Sequence, residues 1–342
     1  FTRGNERTAA PESVGGDLKV ASFNVLNYFT TIDQSGAQCF PSNTRSDCRG
    51  ADSATEFQRQ RAKIIAALAA IDADVVGLIE IENNGATAIN DLVSGLNAAT
   101  APGTYAAVPD PVSGAGTGDD AIKVALIYKP GRVSLVGAST SSSDPIFDRP
   151  PVAQAFQESG SRHTFTVIVN HFKSKGSCPS DPNDPNADQG DGQGCWNAKR
   201  VQQAQALLTF AHARIAAATD PDVLVIGDLN AYGQEDPIDT LIAGGLVNEV
   251  AKHVPLAERY SYIFDGQSGY LDHALGTGSM SRQVKDVTLW HINADEPSVL
   301  DYNTEFKPDD RYAPTPYRSS DHDPVVIGLD LGYPVFLPII GK

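Results

Sequence analysis

Short apolar runs that stop at acids, amides or histidines are the feature that most limits what this chain can fold into. Asp74-Val75-Val76-Gly77-Leu78-Ile79-Glu80-Ile81-Glu82 carries two glutamates at its end. Val167-Ile168-Val169 runs into Asn170-His171, and Val225-Ile226-Gly227 runs into Asp228-Leu229-Asn230. Ser320-Asp321-His322-Asp323-Pro324 leads into the apolar stretch Val325 to Leu329. Runs this short and this rich in β-branched residues read as buried strands. A carboxylate set into such a run costs on the order of several kcal/mol unless it is paired or bound to metal. Polar residues at strand ends sit on a rigid frame, where chemistry is best held.

The rest of the chain supplies the partners these strands need. Leu18 to Val25, Ile122 to Tyr128, Val133 to Val136, Val152 to Phe156, Thr164 to Asn170, Tyr260 to Phe264, Tyr270 to Leu275 and Val284 to Leu289 also read as strands. Ser53-Ala54-Thr55-Glu56 has the form of a capping box, and Phe57, Ile64, Ile65 and Leu68 behind it share a helical face. Ala86 to Ala98 and the stretch from Trp196 to Ile215 read as two more helices. Strands and helices are mixed rather than alternating, which favours an α/β (α+β) fold of two packed mixed sheets flanked by helices over a doubly wound parallel sheet. Three segments are expected: a lead-in at 1–17 from a longer precursor, one domain at 18–331, and a tail at 332–342.

Charge and cysteine usage narrow the setting. The net charge of −16 excludes binding to nucleic acid through an overall positive field, but not through a metal and a few local cations. No run approaches the roughly 18 apolar residues needed to span a membrane, so no membrane insertion is expected. The four cysteines allow three connectivities. Cys39 with Cys48 and Cys178 with Cys195 each bracket a loop rich in polar and turn-forming residues, so these local pairings are expected, each worth about 2–4 kcal/mol. They imply an oxidising compartment and a secreted or cell-surface protein; four free thiols in a cytosolic enzyme is the alternative. The loop from Ser174 to Gly194 holds Asp184, Asn186, Asp188 and Asp191 and resembles a calcium loop, with Gly190 one place too late for the EF-hand pattern. A structural Ca2+ there competes with a plain disulfide-bound loop.

Read by residue type, Asn24 can offer an amide oxygen to a hard cation, and Glu80 and Glu82 share one strand face by period two. His171, beside Asn170 and Lys173, reads as an acid or phosphate-contacting group. An Asp and a His in contact, such as the residues around Asp228 and His322 could supply, form a general-base pair.

Taken together and in order, Phe23-Asn24, Leu78-Ile79-Glu80, Asn170-His171, Gly227-Asp228-Leu229-Asn230-Ala231, Leu271-Asp272-His273 and Ser320-Asp321-His322-Asp323-Pro324 resemble the endonuclease/exonuclease/phosphatase superfamily across about residues 18–331. The runs Asn24 to Phe29, Ile81 to Gly85 and Gly192 to Asn197 are similar to its large secreted bacterial nucleases. The resemblance implies a four-layered α/β sandwich and a Mg2+- or Mn2+-dependent phosphodiesterase acting on DNA, with RNA as a further substrate. It implies metal binding by Glu80, with Asn24 and Asp321 near the same ion. It implies catalytic roles for His171, Asp228, Asn230, Asp272 and His322, with either His322 and Asp272 or Asp228 taking the proton of water. Lys173 and Arg200 are candidate phosphate contacts, within a basic strip of Lys173, Lys175, Lys199, Arg200, Arg311 and Arg318. Where some relatives have an acid or Arg two residues after the strand-end Asn, this chain has Leu26. A monomer is expected. Lipid head groups and small phosphoesters are the alternative substrates; a membrane-acting version should show an exposed apolar hairpin with aromatics, and none is legible between the strands. A catalytically dead adhesion module is disfavoured, because every main site residue is chemically competent.

Overall fold

The computed structural model describes residues 7–218, 220–305, 307 and 309–332. In chain order the main elements are β1 (Leu18–Tyr28), α1 (Ala54–Ile71), β2 (Val75–Glu82), α2 (Thr87–Ala99), β3 (Ala106–Ala107), β4 (Ile122–Tyr128), β5 (Val133–Ser141), β6 (Val152–Glu158) and β7 (Thr164–His171). These are followed by α3 (Asn197–Ala218), β8 (Val223–Asp228), α4 (Asp236–Ala243), β9 (Val247–Asn248), α5 (Glu249–His253), β10 (Tyr262–Phe264), β11 (Gln267–Gly269), β12 (Asp272–Gly276), β13 (Val284–Leu289) and β14 (Val325–Leu329). Two six-stranded mixed sheets form, ordered β13-β14-β1-β2-β4-β3 and β5-β6-β7-β8-β12-β9. Each has one parallel pair near its centre, β1 with β2 and β7 with β8.

Period-two alternation decides the layers. Val20, Val75, Ile79, Val167, Val169, Leu224 and Ile226 meet between the sheets. Ala21, Phe23, Val76 and Leu78 face outward onto Ile64, Leu68 and Ile71 of α1 and Ile89 and Leu92 of α2. On the other side Ile168, Val223 and Val225 face Ala204, Leu207 and Ala211 of α3 and Ile238 of α4. The result is the expected four-layered sandwich. At the start of α1, Ser53 accepts from the Glu56 amide, and the Glu56 carboxylate reaches back to the Asp52 amide.

The lead-in is more closely packed than the sequence suggested. Val14 is buried, Trp290 donates to the Thr8 hydroxyl, and the Asp17 amide bonds to the Leu329 carbonyl of β14. Residues 1–6 and 333–342, which hold most of the expected tail, lie outside the described residues. Both disulfides form as expected, Cys39 with Cys48 and Cys178 with Cys195. Among the described residues no helix is long and apolar enough to cross a membrane.

Two glycines let the frame close. A Cβ on Gly77 would meet Ile226 Cδ1 at 2.7 Å and Val169 Cγ2 at 2.8 Å, so the facing sheet packs directly onto it. Gly227 sits at φ +133, and a Cβ there would lie 2.1 Å from the Asn170 carbonyl oxygen. The obstacle is backbone, which cannot swing aside. Gly227→Ala is therefore expected to destabilise the protein by roughly 3 kcal/mol. Urea or thermal unfolding checks this; a midpoint equal to wild type would show that β7 and β8 can separate there at little cost.

Candidate active site

The polar strand ends converge because both parallel pairs finish at the same edge of the sandwich. Along β8 the inward series Leu224, Ile226 ends at Asp228; along β7 the series Val167, Val169 ends at His171. Parallel register sets His171 opposite Asp228, and antiparallel register sets Asp272 of β12 opposite Asp228 from the other side. Asn24 ends the inward series of β1 and spans the two sheets: its Nδ2 lies 3.1 Å from Glu80 Oε1 and 3.3 Å from Asp228 Oδ2.

Glu80 arrives by a different route. β2 carries a bulge between Leu78 and Ile81, and Glu80 adopts φ +69. Without the bulge Glu80 would continue the outward series Val76, Leu78. Instead Ile81 takes that place under the helices, and Glu80 is re-aimed at the strand end. Its Oε2 accepts from the Asn27 amide at 2.9 Å. The shared face expected for Glu80 and Glu82 is thus broken. Glu82 is tied down by the amides of Thr30 and Thr31 and by the Thr30 hydroxyl. Leu26, Asn27 and Asn230 also have φ near +50, so the site concentrates backbone strain.

His322, in the loop before β14, lies between two carboxylates. Its Nδ1 is 2.7 Å from Asp272 Oδ2, and its Nε2 is 3.8 Å from Asp228 Oδ2. Asp272 is fully buried and also accepts from the Ser261 hydroxyl at 2.7 Å. Burial disfavours the His322 imidazolium, but Asp272, Asp228 and Asp321 outweigh it and raise its pKa well above the usual value. His171 behaves oppositely. Burial, reinforced by Arg149 and by His322 itself, holds it well below the usual value. Its Nε2 is 3.7 Å from Asp228 Oδ2. Burial pushes Asp228 up to about 7, against the pull of His322. Asn230 turns its amide N–H onto Asp228 Oδ1 at 2.8 Å, and its Nδ2 onto the Phe172 carbonyl at 3.1 Å.

Glu80 and Asp321 are the acids nearest a metal role. Glu80 receives only neutral donors, and burial followed by the charge of Asp321 raises its pKa. Neither acid has a Lys or Arg ion-pair partner among the described residues. An uncompensated pair of carboxylates is a hard-oxygen donor set that fits a divalent ion completing its shell with water, while Asn24 turns its Nδ2 to Glu80 and its Oδ1 accepts from the Leu26 amide. Asp52, Glu56 and Glu305, at the start of α1, bring ligand atoms within 4.8 Å of one another elsewhere on the molecule.

The expected phosphate contacts fare unequally. Arg200 is fully buried and donates to the carbonyls of Cys195, Gln193 and Lys173, so it anchors the disulfide loop and presents no face to a phosphate. The basic strip is largely neutralised as well. Lys175 pairs with Glu235, Lys199 with Asp148 and Arg311 with Asp309, while Arg318 donates to the Asn293 carbonyl. Lys173 alone of that set has neither an acid nor a carbonyl on its charged group among the described residues; its Nζ lies 3.4 Å from the Ser174 hydroxyl and 4.9 Å from the centre of the Trp196 ring. The acids of the disulfide loop are turned onto its own backbone. Asp184, Asp188 and Asp191 each cap their own turn, accepting from Asn186, Gly190 and Gln193, and these three acids do not gather within ligating distance.

Sequence reading missed Ser261, which orients Asp272, and Tyr262, whose ring lies 4.7 Å from that of His322. Both are held by contacts distant in sequence, and no local pattern marks them. It also left His273 without a role. That ring is fully buried, its Nε2 is 2.8 Å from the Ala231 carbonyl, and burial lowers its pKa from 6.5 to about 4. A histidine kept neutral by the fold contributes stability that is fully present above its unfolded pKa and is lost as pH falls through the folded one. Between pH 6.5 and 4 the wild type is expected to lose about 3 kcal/mol more stability than His273→Gln. Denaturant unfolding at both pH values checks this; parallel losses in the two proteins would clear His273.

The comparisons agree with the fold. No curated protein matches the sequence. Among solved structures, the mannosyl-6-phosphatase of Bacteroides thetaiotaomicron superposes with a TM-score of 0.55 at 18% identity, covering 92% of this chain and 99% of its own. Sphingomyelinase C from Streptomyces griseocarneus gives 0.54 at 16%, covering 92% and 99%. D. rerio TDP2 complexed with a single-strand DNA product gives 0.53 at 13%, covering 91% and 97%. At these identities the likeness is one of fold. The sequence model of the endonuclease/exonuclease/phosphatase family, whose members are mostly hydrolases of phosphoesters and generally need a divalent metal, matches residues 21–322. With nearly the whole domain matched, the chain belongs to the endonuclease/exonuclease/phosphatase family.

Proposed function

We propose that the protein is an extracellular, metal-dependent nuclease that hydrolyses phosphodiester bonds of DNA, and also RNA, by attack of water. The observation that carries the reading is the opposed pair of histidines about Asp228: Nε2 of His322 and Nε2 of His171 lie 3.8 and 3.7 Å from the same Oδ2, carboxylates raising the pKa of the first and burial lowering that of the second. A phosphate entering there meets a charged donor from His322 and neutral donors from His171 and Asn230, which suits charge developing on phosphoryl oxygens. Asp272 fixes the ring of His322, and with that ring serving as donor, Asp228, which burial raises to about 7, is the group left to take the proton of water. Glu80, with Asn24 and Asp321, would hold Mg2+ or Mn2+. A divalent ion bound there polarises a non-bridging phosphate oxygen and stabilises the leaving oxyanion. The two disulfides support an exported protein.

Circular duplex DNA incubated with the protein in EDTA, and then with added Mg2+ or Mn2+, tests the reading. Metal-dependent nicking is expected. Intact circles under every metal, with linear and single-stranded DNA and RNA also uncut, would sink it.

One observation favours a second reading. Contrary to the sequence expectation, β10 and β11 form a hairpin beside His322, and Phe264 on it is 61% exposed. A choline phosphodiester substrate presented on vesicles would use such a side chain. Hydrolysis of vesicle-bound sphingomyelin that falls on Phe264→Ala, without DNA cleavage, would establish this alternative.

A further inference from the structure

A groove of about 800 Å³ opens next to the catalytic edge, between the Cys39–Cys48 loop and the residue that follows Cys195. Arg49, Phe147, Arg149, Lys173, Trp196 and Lys199 line it. The Phe172 backbone stands between the groove and the catalytic edge. The Phe172 carbonyl accepts from Arg149 on the groove side and from Asn230 on the catalytic side. Five carboxylates, Asp47, Asp119, Asp120, Asp144 and Asp148, also line it and outnumber its four cations. Arg49 and Arg149 share Asp120, at 3.0 and 2.9 Å, and Lys199 pairs with Asp148. Lys173 is the one lining cation without an acid at ion-pair distance among the described residues.

Trp196 is built as a shelf. It sits at φ +66, a conformation that bulky residues avoid. The strain is held by neighbours: its amide donates to the Asn186 carbonyl at 2.7 Å, its indole N–H points at the Gly176 and Ser177 carbonyls, and the Cys195 disulfide precedes it. Its ring remains partly exposed in the groove wall, with the Lys173 ammonium 4.9 Å from its centre. An aromatic ring whose face is covered only by a lysine ammonium, in a cation–π contact that a base and its phosphate would replace, matches a nucleotide beside the proposed cleavage centre. A base inside a closed duplex cannot lie flat against that ring without leaving its stack.

We infer that this groove is a nucleotide subsite: Trp196 stacks on an unpaired base flanking the scissile phosphate and Lys173 contacts the adjoining phosphate, so the enzyme prefers single-stranded or frayed strands to closed duplex. The inference rests on the nuclease reading above.

Steady-state cleavage of thymidine oligonucleotides from two to eight residues, and of a closed hairpin duplex, tests it in wild type, Trp196→Ala and Trp196→Phe. In the wild type KM falls with length, and the duplex is cut more slowly than the octamer. Trp196→Ala is expected to raise KM for the octamer about tenfold, the order of one base–aromatic stack, with kcat little changed. Trp196→Phe restores most of the loss, which a folding defect would not allow. Equal length dependence in wild type and Trp196→Ala, equal losses in the Ala and Phe variants, or a duplex cut as fast as the octamer would overturn the subsite while leaving the nuclease reading intact. A wild type that cuts none of these substrates, nor any other nucleic acid, would instead overturn the nuclease reading itself.

Discussion

Replacing His322 with alanine is expected to lower turnover by about 10²–10⁴-fold on whichever phosphoester the protein hydrolyses. The ring reaches both Asp272 and Asp228, at 2.7 and 3.8 Å, and Asp272 is itself fully buried, so it acts on substrate through the ring. That geometry also predicts how the losses combine. Asp272→Asn alone should be damaging, because it removes the charge that holds His322 in its protonated, oriented form. The double variant His322→Ala with Asp272→Asn should be no worse than His322→Ala, since a positioning residue has nothing left to position. Single-turnover kinetics on the three proteins, with circular dichroism as the check on folding, decides the matter. Additive losses would mean that Asp272 acts on the reaction by a route of its own.

Most of this site was legible because strands place side chains by counting. Once Val167 and Val169 are assigned inward, His171 must follow, and the same count puts Asp228 inward after Leu224 and Ile226. Register then makes them neighbours. Counting failed where the backbone breaks its own period. The β2 bulge gave Glu80 and Glu82 different environments although they stand two residues apart. Charge was legible only as a total. Lys175, Lys199 and Arg311 proved to be paired with acids, in two cases dozens of residues away, and Arg200 proved to be buried under a loop whose own carbonyls it holds. Such pairings depend on the folded arrangement, and composition carries no trace of them. The same holds for Ser261 and Tyr262, which look like ordinary hairpin residues until the β12 edge and the loop before β14 come together around them.

The second large effect follows from the acid that counting misplaced. Glu80→Gln preserves the size of the side chain and keeps an oxygen for the Asn27 amide, yet removes the charge that no lysine or arginine balances. If Glu80 is the principal metal ligand, the variant should lose about 10²–10³-fold in metal-dependent turnover at moderate Mg2+, the equivalent of a few kcal/mol of lost charge stabilisation. The loss should recede partly as Mg2+ is raised, because weakened binding is answered by concentration, whereas a missing proton acceptor is not. Asp321→Asn should show the same pattern with a smaller amplitude, since Asp321 sits partly exposed and contributes to Glu80 chiefly through its charge. Removing the charge should also ease the repulsion between the two acids, so the metal-free Glu80→Gln protein is expected to unfold at or above the wild-type temperature. Calorimetric titration with Mg2+ and thermal unfolding in EDTA read the two halves separately. Wild-type metal affinity in Glu80→Gln would remove Glu80 from the metal site, and the bulge that aims it would then need another explanation.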